Sequence, residues 1–223
     1  MEDPAARRVA YEDSPLREAD LAPTPLAQFE RWYSAAVAAG LPEPNAMVLA
    51  TAGPQGPSAR TVLLKGVDAR GLSFYTNRTS RKARAMAAEP RVGLLFPWHA
   101  AQRQVGVVGD AEELPRQEAA VYFASRPWGS RIGAWASEQS APTASAEDVQ
   151  ARWARFAARW PDTGSADDVP LPEHWGGFLV RPREVEFWQG RPSRLHDRLV
   201  LVAVRPHAAL DDPAGWRLER RQP

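Results

Sequence analysis

The chemistry in this 223-residue chain gathers first in thirteen residues near its C-terminus, Glu186-Phe-Trp-Gln-Gly-Arg-Pro-Ser-Arg-Leu-His-Asp-Arg198. Arg191, Arg194, His196 and Arg198 fall within eight positions, and like charges so close repel unless an anion sits among them. The stretch is therefore either an anion site or a solvated basic loop with an ion pair to Asp197. Similar material recurs upstream. One set is Arg60 with Arg81 and Lys82, and another is Lys65 with Tyr122, Arg126 and Ser130. Of 28 Lys and Arg residues, all but Lys65 and Lys82 are arginine, which marks those two places as ones where a compact ammonium is wanted. Charge-assisted bonds to phosphate contribute roughly 1.5–3 kcal/mol each, so two such sets fit two phosphorylated small molecules held side by side. No G-x-G-x-x-G, P-loop, H-E-x-x-H or G-x-S-x-G occurs, and the four histidines are scattered, which argues against zinc. With no acid, base or covalent nucleophile in a recognisable pattern, a cofactor is expected to carry the chemistry.

The elements that must hold these residues are mostly strands. Leu26, Phe29, Trp32, Tyr33 and Ala36 share a helical face that begins at Pro25 and ends at Gly40. Residues 46–51 read as a strand, 58–66 as one continuous second strand, and 68–71 as a hairpin turn into a third strand over 72–76. That meander places Arg60 and Lys65 on one strand and Tyr75 and Thr76 on its neighbour. Thr79 or Ser80 caps a helix running to about Glu89, with Arg81 and Lys82 in its first turn, where the helix dipole favours anions over cations. Residues 91–98 and 104–114 form an antiparallel pair with His99 in the connection. Pro115 opens a helix that ends near Ser125-Arg-Pro127. Pro127 and Gly129 break the four-residue spacing of Tyr122, Arg126 and Ser130, so the three converge as a loop on one anion. Residues 132–140 are small residues around Trp135, and 144–160 is an amphipathic helix. An acidic loop covers 161–172. A strand starts at Gly176, Pro182 separates it from the run at Val185–Trp188, and strands resume at 199–203 and 216–220.

Composition bounds the class. Hydrophobic content of 44%, charged content of 25% and a net charge of +1 describe a globular protein and give no global case for nucleic acid. No apolar run approaches the roughly 20 residues of a membrane span, the N-terminus lacks a signal core, and there is no cysteine. A cytoplasmic protein is expected, with a flexible arm over residues 1–24 and a single domain over 25–223, an antiparallel barrel or closed sheet carrying three or four helices.

Taken together, Arg60-Thr-Val-Leu-Leu-Lys65, Phe74-Tyr-Thr-Asn77, Ser80-Arg-Lys82, Leu94-Leu-Phe-Pro-Trp-His99, Arg103-Gln-Val105, Tyr122-Phe with Ser125-Arg-Pro127, Ser130-Arg-Ile-Gly-Ala-Trp135, Glu186-Phe-Trp-Gln-Gly190 and Arg194-Leu-His-Asp-Arg198 resemble the pyridoxamine/pyridoxine 5′-phosphate oxidase family, in order and at compatible spacing. The resemblance implies a mostly β (α+β) fold, an antiparallel FMN-binding split β-barrel, working as a homodimer with FMN at the interface. It implies that Arg60, Arg81 and Lys82 bind the FMN phosphate side, that Lys65 also belongs to the cofactor set, and that Tyr75, Thr76 and Gln104 contact the flavin. Gln139 and Ser140 would come from the partner subunit, and Trp188 and Arg198 would border the isoalloxazine. Lys65, Tyr122, Arg126 and Ser130 would hold the substrate phosphate, Arg194 and His196 would lie over the pyridine ring as the catalytic pair, and Arg8 and Tyr11 of the arm would close over the substrate. Arg191 receives no role. The implied reaction is hydride transfer from C4′ of pyridoxine or pyridoxamine 5′-phosphate to flavin N5, with O2 reoxidising the flavin to give H2O2.

Three features depart from the family pattern: the ending Leu-Glu-Arg-Arg-Gln-Pro223, the long segment 205–215, and the bulky Trp128. The alternatives are a same-fold FMN oxidase of another aromatic substrate, of the phenazine-biosynthesis type, a flavin-binding module without turnover, and an Arg-rich nucleic-acid binder.

Overall fold

Strict alternation along the longest apolar runs builds a sheet with one face in the core. The computed structural model describes residues 3, 6 and 10–223; Arg8 lies outside the described residues. Nine strands are present among them: β1 Ala46–Thr51, β2 Ser58–Leu63, β3 Gly66–Asp68, β4 Gly71–Asn77, β5 Arg91–Trp98, β6 Arg103–Glu113, β7 Trp175–Gln189, β8 Asp197–Ala203 and β9 Trp216–Arg221. The sheet runs β2, β1, β5, β6, β7, β4, β3, with β8 and β9 continuing from β7, and every pairing is antiparallel. Val92, Leu94, Phe96 and Trp98 of β5 all point into the core, where they meet Val105 and Val107 of β6 and Phe187 of β7. The chain is mostly β, a curled antiparallel sheet with peripheral helices, as expected.

Two strands differ from the sequence expectation, and both differences shape the site. The run over 58–66 is not continuous. β2 pairs with β1 up to Leu63, Leu64 N–H then donates to Asn45 O (2.8 Å), and Lys65 N–H donates to Ser73 O (2.8 Å) beside β4. The chain changes sheet partner at this point, so Lys65 sits where the two halves of the sheet part. Pro182, conversely, does not separate two strands. β7 runs straight through it, pairing with β4 over its first half and with β8 over its second, while β6 follows its other edge. The β6 register shifts between Val108, opposite Glu184, and Gly109, opposite Pro182, which leaves Arg183 as the extra residue of a bulge. A proline survives there because the bulged ladder does not need its missing N–H. Gly109 is required at the same place, since a Cβ would lie 2.3 Å from Arg181 O. Gly109→Ala is expected to cost about 3 kcal/mol by forcing the bulge open, a fall in Tm of roughly 10 °C in a thermal melt.

Five helices, rather than three or four, flank the sheet among the described residues: α1 Pro25–Ala38, α2 Arg81–Ala88, α3 Arg116–Ala124, α4 Trp128–Ala136 and α5 Ala146–Arg159. Thr24 caps α1 by accepting from Ala27 N–H (3.2 Å), Pro25 presets its first turn, and Phe29, Trp32 and Ala36 pack onto Phe96 and Phe187. The small-residue segment from Ile132 is the second half of α4, which packs with α3, Val169 and Trp175 into a satellite core of Ala119, Phe123 and Ile132. The packed core also extends before residue 25. Leu16 is only 5% exposed, a burial that contributes about 1.5–3 kcal/mol.

Candidate functional site

A cavity of about 750 Å³ lies between β2, the end of β4, the start of α2 and the α3–α4 junction, within the size range of small-molecule sites. Arg60, Lys65, Lys82 and Arg126 line it, together with Tyr75, Thr76, Tyr122, Ser130 and Gln139, and no Asp or Glu among the described residues does. Both cation sets read from the sequence, apart from Arg81, therefore open into one space. Among the described residues none of these four cations forms an ion pair.

Each cation is placed by local chemistry. Ser80 caps α2 by accepting from Ala83 N–H, which puts Lys82 in the first turn facing inward. Its side chain is only 7% exposed, and Nζ donates to Gln139 Oε1 (2.7 Å) and Thr76 Oγ1 (3.1 Å), both uncharged. Burial, and then the neighbouring Arg60, pull the Lys82 pKa down to about 8. The Arg60 guanidinium donates to Leu49 O (3.0 Å), Thr51 Oγ1 (2.9 Å) and Ser58 Oγ (2.5 Å), again neutral acceptors, and its pKa is lowered by burial and then by Arg81. Arg126 stacks over Trp175 (4.9 Å), its pKa lowered by burial, and its Nη1 is buried without a hydrogen-bond partner among the described residues. A guanidinium nitrogen in that state is costly unless a ligand completes it.

Tyr75 and Tyr122 stack at 4.1 Å, Trp175 stacks on Tyr75 at 5.5 Å, and Lys65 Nζ lies 6.0 Å from the Tyr122 ring. Trp175 was not picked out from the sequence. Its signal is the Gly176-Gly177 pair that follows, because a Cβ on Gly177 would lie 2.6 Å from Tyr75. The helix does break at Pro127, but Ser130 sits in the first turn of α4 rather than in a loop. The break turns Arg126 and Ser130 toward the same cavity.

Arg81 and Ser140 lie at the margin. Ser140 Oγ accepts from Arg81 N–H (3.2 Å), and Arg81 lines a smaller neighbouring cavity with Arg84 and the Gly53–Gly56 turn. Gln139 and Ser140, expected from a partner subunit, stand on the same chain as Lys82 and Arg81. The reason is the turn after α4, where Ser140 takes a left-handed conformation (φ 73°) and lays the chain over the start of α2.

The remaining predicted residues among those described do not line this cavity. They form a second cluster around the β7–β8 connection. Gln104 pairs with Trp188 across β6 and β7. Trp188 and His196 lie 4.6 Å apart, and Tyr11 meets both edge-on, at 6.1 and 5.4 Å. His196 Nδ1 accepts from Arg191 N–H (3.1 Å), and its pKa is lowered by partial burial and then by Arg194. Arg194 is exposed and left-handed (φ 64°), as is Ser193 before it (φ 57°). Arg198 is no free cation: it forms a two-pronged pair with Glu186 (2.7 and 2.9 Å).

Comparison with known proteins follows the same division. Residues 33–160 match the sequence profile described as pyridoxamine 5′-phosphate oxidase, and residues 175–223 match the profile of the pyridoxine 5′-phosphate oxidase C-terminal dimerisation region. A pyridoxine/pyridoxamine 5′-phosphate oxidase of Kineococcus radiotolerans is 68% identical over the full length of both chains. One of Thermobifida fusca is 52% identical, over 99% of this chain and 98% of its own. The solved structure of PhzG from Burkholderia lata 383 in complex with tetrahydrophenazine-1-carboxylic acid superposes with a TM-score of 0.81 at 28% identity, covering 95% of this chain and 99% of that one. No helix among the described residues is long and apolar enough to cross a membrane. On both profiles and on full-length identity, the chain belongs to the pyridoxamine 5′-phosphate oxidase family.

Proposed function

We propose that the protein is an FMN-dependent oxidase that converts pyridoxamine 5′-phosphate and pyridoxine 5′-phosphate to pyridoxal 5′-phosphate, with O2 reduced to H2O2. The observation that carries this reading is one cavity lined, among the described residues, by four cations, no carboxylate and a wall of stacked rings. The residues present fit a phosphorylated flavin and a phosphorylated ring. Lys82, buried among neutral acceptors, and Arg60 supply charge for the cofactor phosphate, with Arg81 at the margin. Tyr75, Thr76, Gln139 and Ser140 flank it. Lys65, Tyr122, Arg126 and Ser130 supply the substrate phosphate subsite, where Arg126 Nη1, without a partner among the described residues, would donate to a phosphate oxygen.

Bound FMN supplies the hydride acceptor and the route for electrons to O2. The chain's own work is positional. Phosphate anchors fix the reacting carbon, the aromatic wall keeps water from the ring, and Arg194 orients the ring through its oxygen substituent. His196 acts as a hydrogen-bonding positioner. The second cluster does this in a homodimer, where Gln104, Trp188, Arg194, His196 and Arg198 of one subunit face the cavity of the other. Support comes from the dimerisation region, which spans residues 175–223 and so contains four of the five. Tyr11, and with it Arg8, would close the same face. Arg198 is paired with Glu186, so it would border the flavin as half of an ion pair rather than as a free cation. A cytoplasmic location completes the proposal.

The likeness to PhzG supports a second reading, an oxidase of a phenazine-type acid, but such a substrate carries a carboxylate and no phosphate. Oxygen uptake by the FMN-loaded protein separates the two. Peroxide is expected with pyridoxamine or pyridoxine 5′-phosphate, and its absence with both would overturn the proposal. Arg126→Met is expected to raise KM for either substrate about thirtyfold, the loss of one charge-assisted phosphate contact. Steady-state kinetics at saturating FMN would check it, and an unchanged KM would remove Arg126 from the phosphate subsite.

A further inference from the structure

We propose that Arg191, which the sequence leaves as a surface charge, is a positioning residue: it fixes the tautomer of His196 and ties the N-terminal segment to it. The inference rests on the oxidase reading above for what His196 faces, and on the geometry of the β7–β8 connection for the rest.

Pro192 holds Arg191 in an extended conformation (φ −135°, ψ 155°), as the residue before a proline prefers. The left-handed Ser193 and Arg194 then fold the chain back so that Arg191 N–H donates to His196 Nδ1. With Nδ1 committed as an acceptor, the neutral imidazole carries its proton on Nε2 and offers only a donor on its free side. That suits an oxygen substituent on a substrate ring. Two consecutive non-glycine residues in the left-handed region are strained and persist where the surroundings over-determine them.

The Arg191 side chain supplies that over-determination. Its guanidinium donates to Asp197 Oδ2 (2.9 Å) and meets Asp13 Oδ1 of the N-terminal segment (2.7 Å). Asp197 is a hub that also accepts from Leu16 N–H (3.0 Å) and from Arg220 Nη1 (2.6 Å). One guanidinium thus joins the N-terminal segment, the connection and β8. Burial ranks the two arms: Asp197 is 14% exposed and Arg191 24%, whereas Asp13 is 71% exposed, so the Asp13 contact is the weaker. What the clamp seats is Tyr11, edge-on to His196 and Trp188, over Gly190, where a Cβ would lie 2.9 Å from the Tyr11 ring.

The test uses the FMN-loaded protein. Long-range 1H–15N correlation spectra of wild type, with the His196 signal assigned by its loss in His196→Gln, are expected to show the Nε2–H tautomer. In Arg191→Ala the signal is expected to shift toward a mixture, with kcat for pyridoxamine 5′-phosphate about tenfold lower and flavin absorbance unchanged. Asp13→Asn is expected to keep the tautomer and kcat while raising KM about threefold. A wild-type Nδ1–H tautomer overturns the inference without any variant. So does an Arg191→Ala enzyme with wild-type tautomer and kcat. A wild type that turns over neither vitamer overturns the oxidase reading instead, and the spectra then still decide whether Arg191 sets the tautomer.

Discussion

Lys82→Met is expected to bind FMN about a hundredfold more weakly than wild type, the largest single effect the site offers. The ammonium is nearly enclosed, its partners Thr76, Ser80 and Gln139 are all neutral, and Arg60 adds like charge rather than relief. A phosphate dianion is what that environment lacks. The same feature has an opposite sign in the flavin-free protein. Lys82 titrates at about 8 when folded against 10.5 when unfolded. Below pH 8 both states carry the charge, and the folded state bears the full cost of burying it. As pH rises from 8 to 10.5 the folded protein gives up its proton first, so flavin-free wild type gains up to about 3 kcal/mol of stability across that window. Below the window that increment is lost. Lys82→Met should show no such rise, and at pH 7 its flavin-free melt should match or exceed wild type. A bound dianion raises the Lys82 pKa, so wild-type affinity should fall above pH 8. Flavin-fluorescence titrations at pH 7 and 9, with melts of both apoproteins, would check all three statements. A variant that binds FMN within threefold of wild type would remove Lys82 from the cofactor phosphate.

Arg194→Ala is expected to lower kcat about a hundredfold, with flavin retained, because misplacing a bound ring by an ångström costs that much. Arg194 is exposed and makes no ion pair among the described residues, so truncation removes a head group without leaving a buried partner stranded. Its backbone is left-handed (φ 64°), a strained conformation for a non-glycine residue. Arg194→Gly serves as the control: it relieves the backbone yet lacks the guanidinium, and should be as slow as the alanine variant. Rapid-reaction measurement of flavin reduction, set beside flavin content, separates the roles. If Arg194→Ala loses flavin while turning over normally per flavin bound, the cofactor and substrate assignments are reversed.

Tyr75, Thr76 and Gln139 came from the family resemblance. The sequence by itself determined the strands β1, β5 and β6, a capped start of α2 at Thr79 or Ser80, the helix break at Pro127, and Arg60, Lys65, Lys82, Tyr122, Arg126 and Ser130 as residue types suited to an anion. Those are properties of local periodicity, turn chemistry and residue type, which act over a few positions and so can be read from one chain. Only the tertiary structure decided where a strand changes partner. Residues 58–66 look continuous because no turn residue interrupts them before Gly66, and β7 looks broken because Pro182 usually ends a strand. Both outcomes depend on ladders contributed by residues far away, Asn45 and Ser73 in one case and Val108–Gly109 in the other. The same holds for charge. Arg191 and Arg198 look alike in sequence to Arg194, yet Asp13, Asp197 and Glu186 neutralise the first two, while the third has no ion pair among the described residues. Which cations await a ligand is set by where the carboxylates fold, and hydrogen bonds and ion pairs between distant segments carry no signature in local spacing.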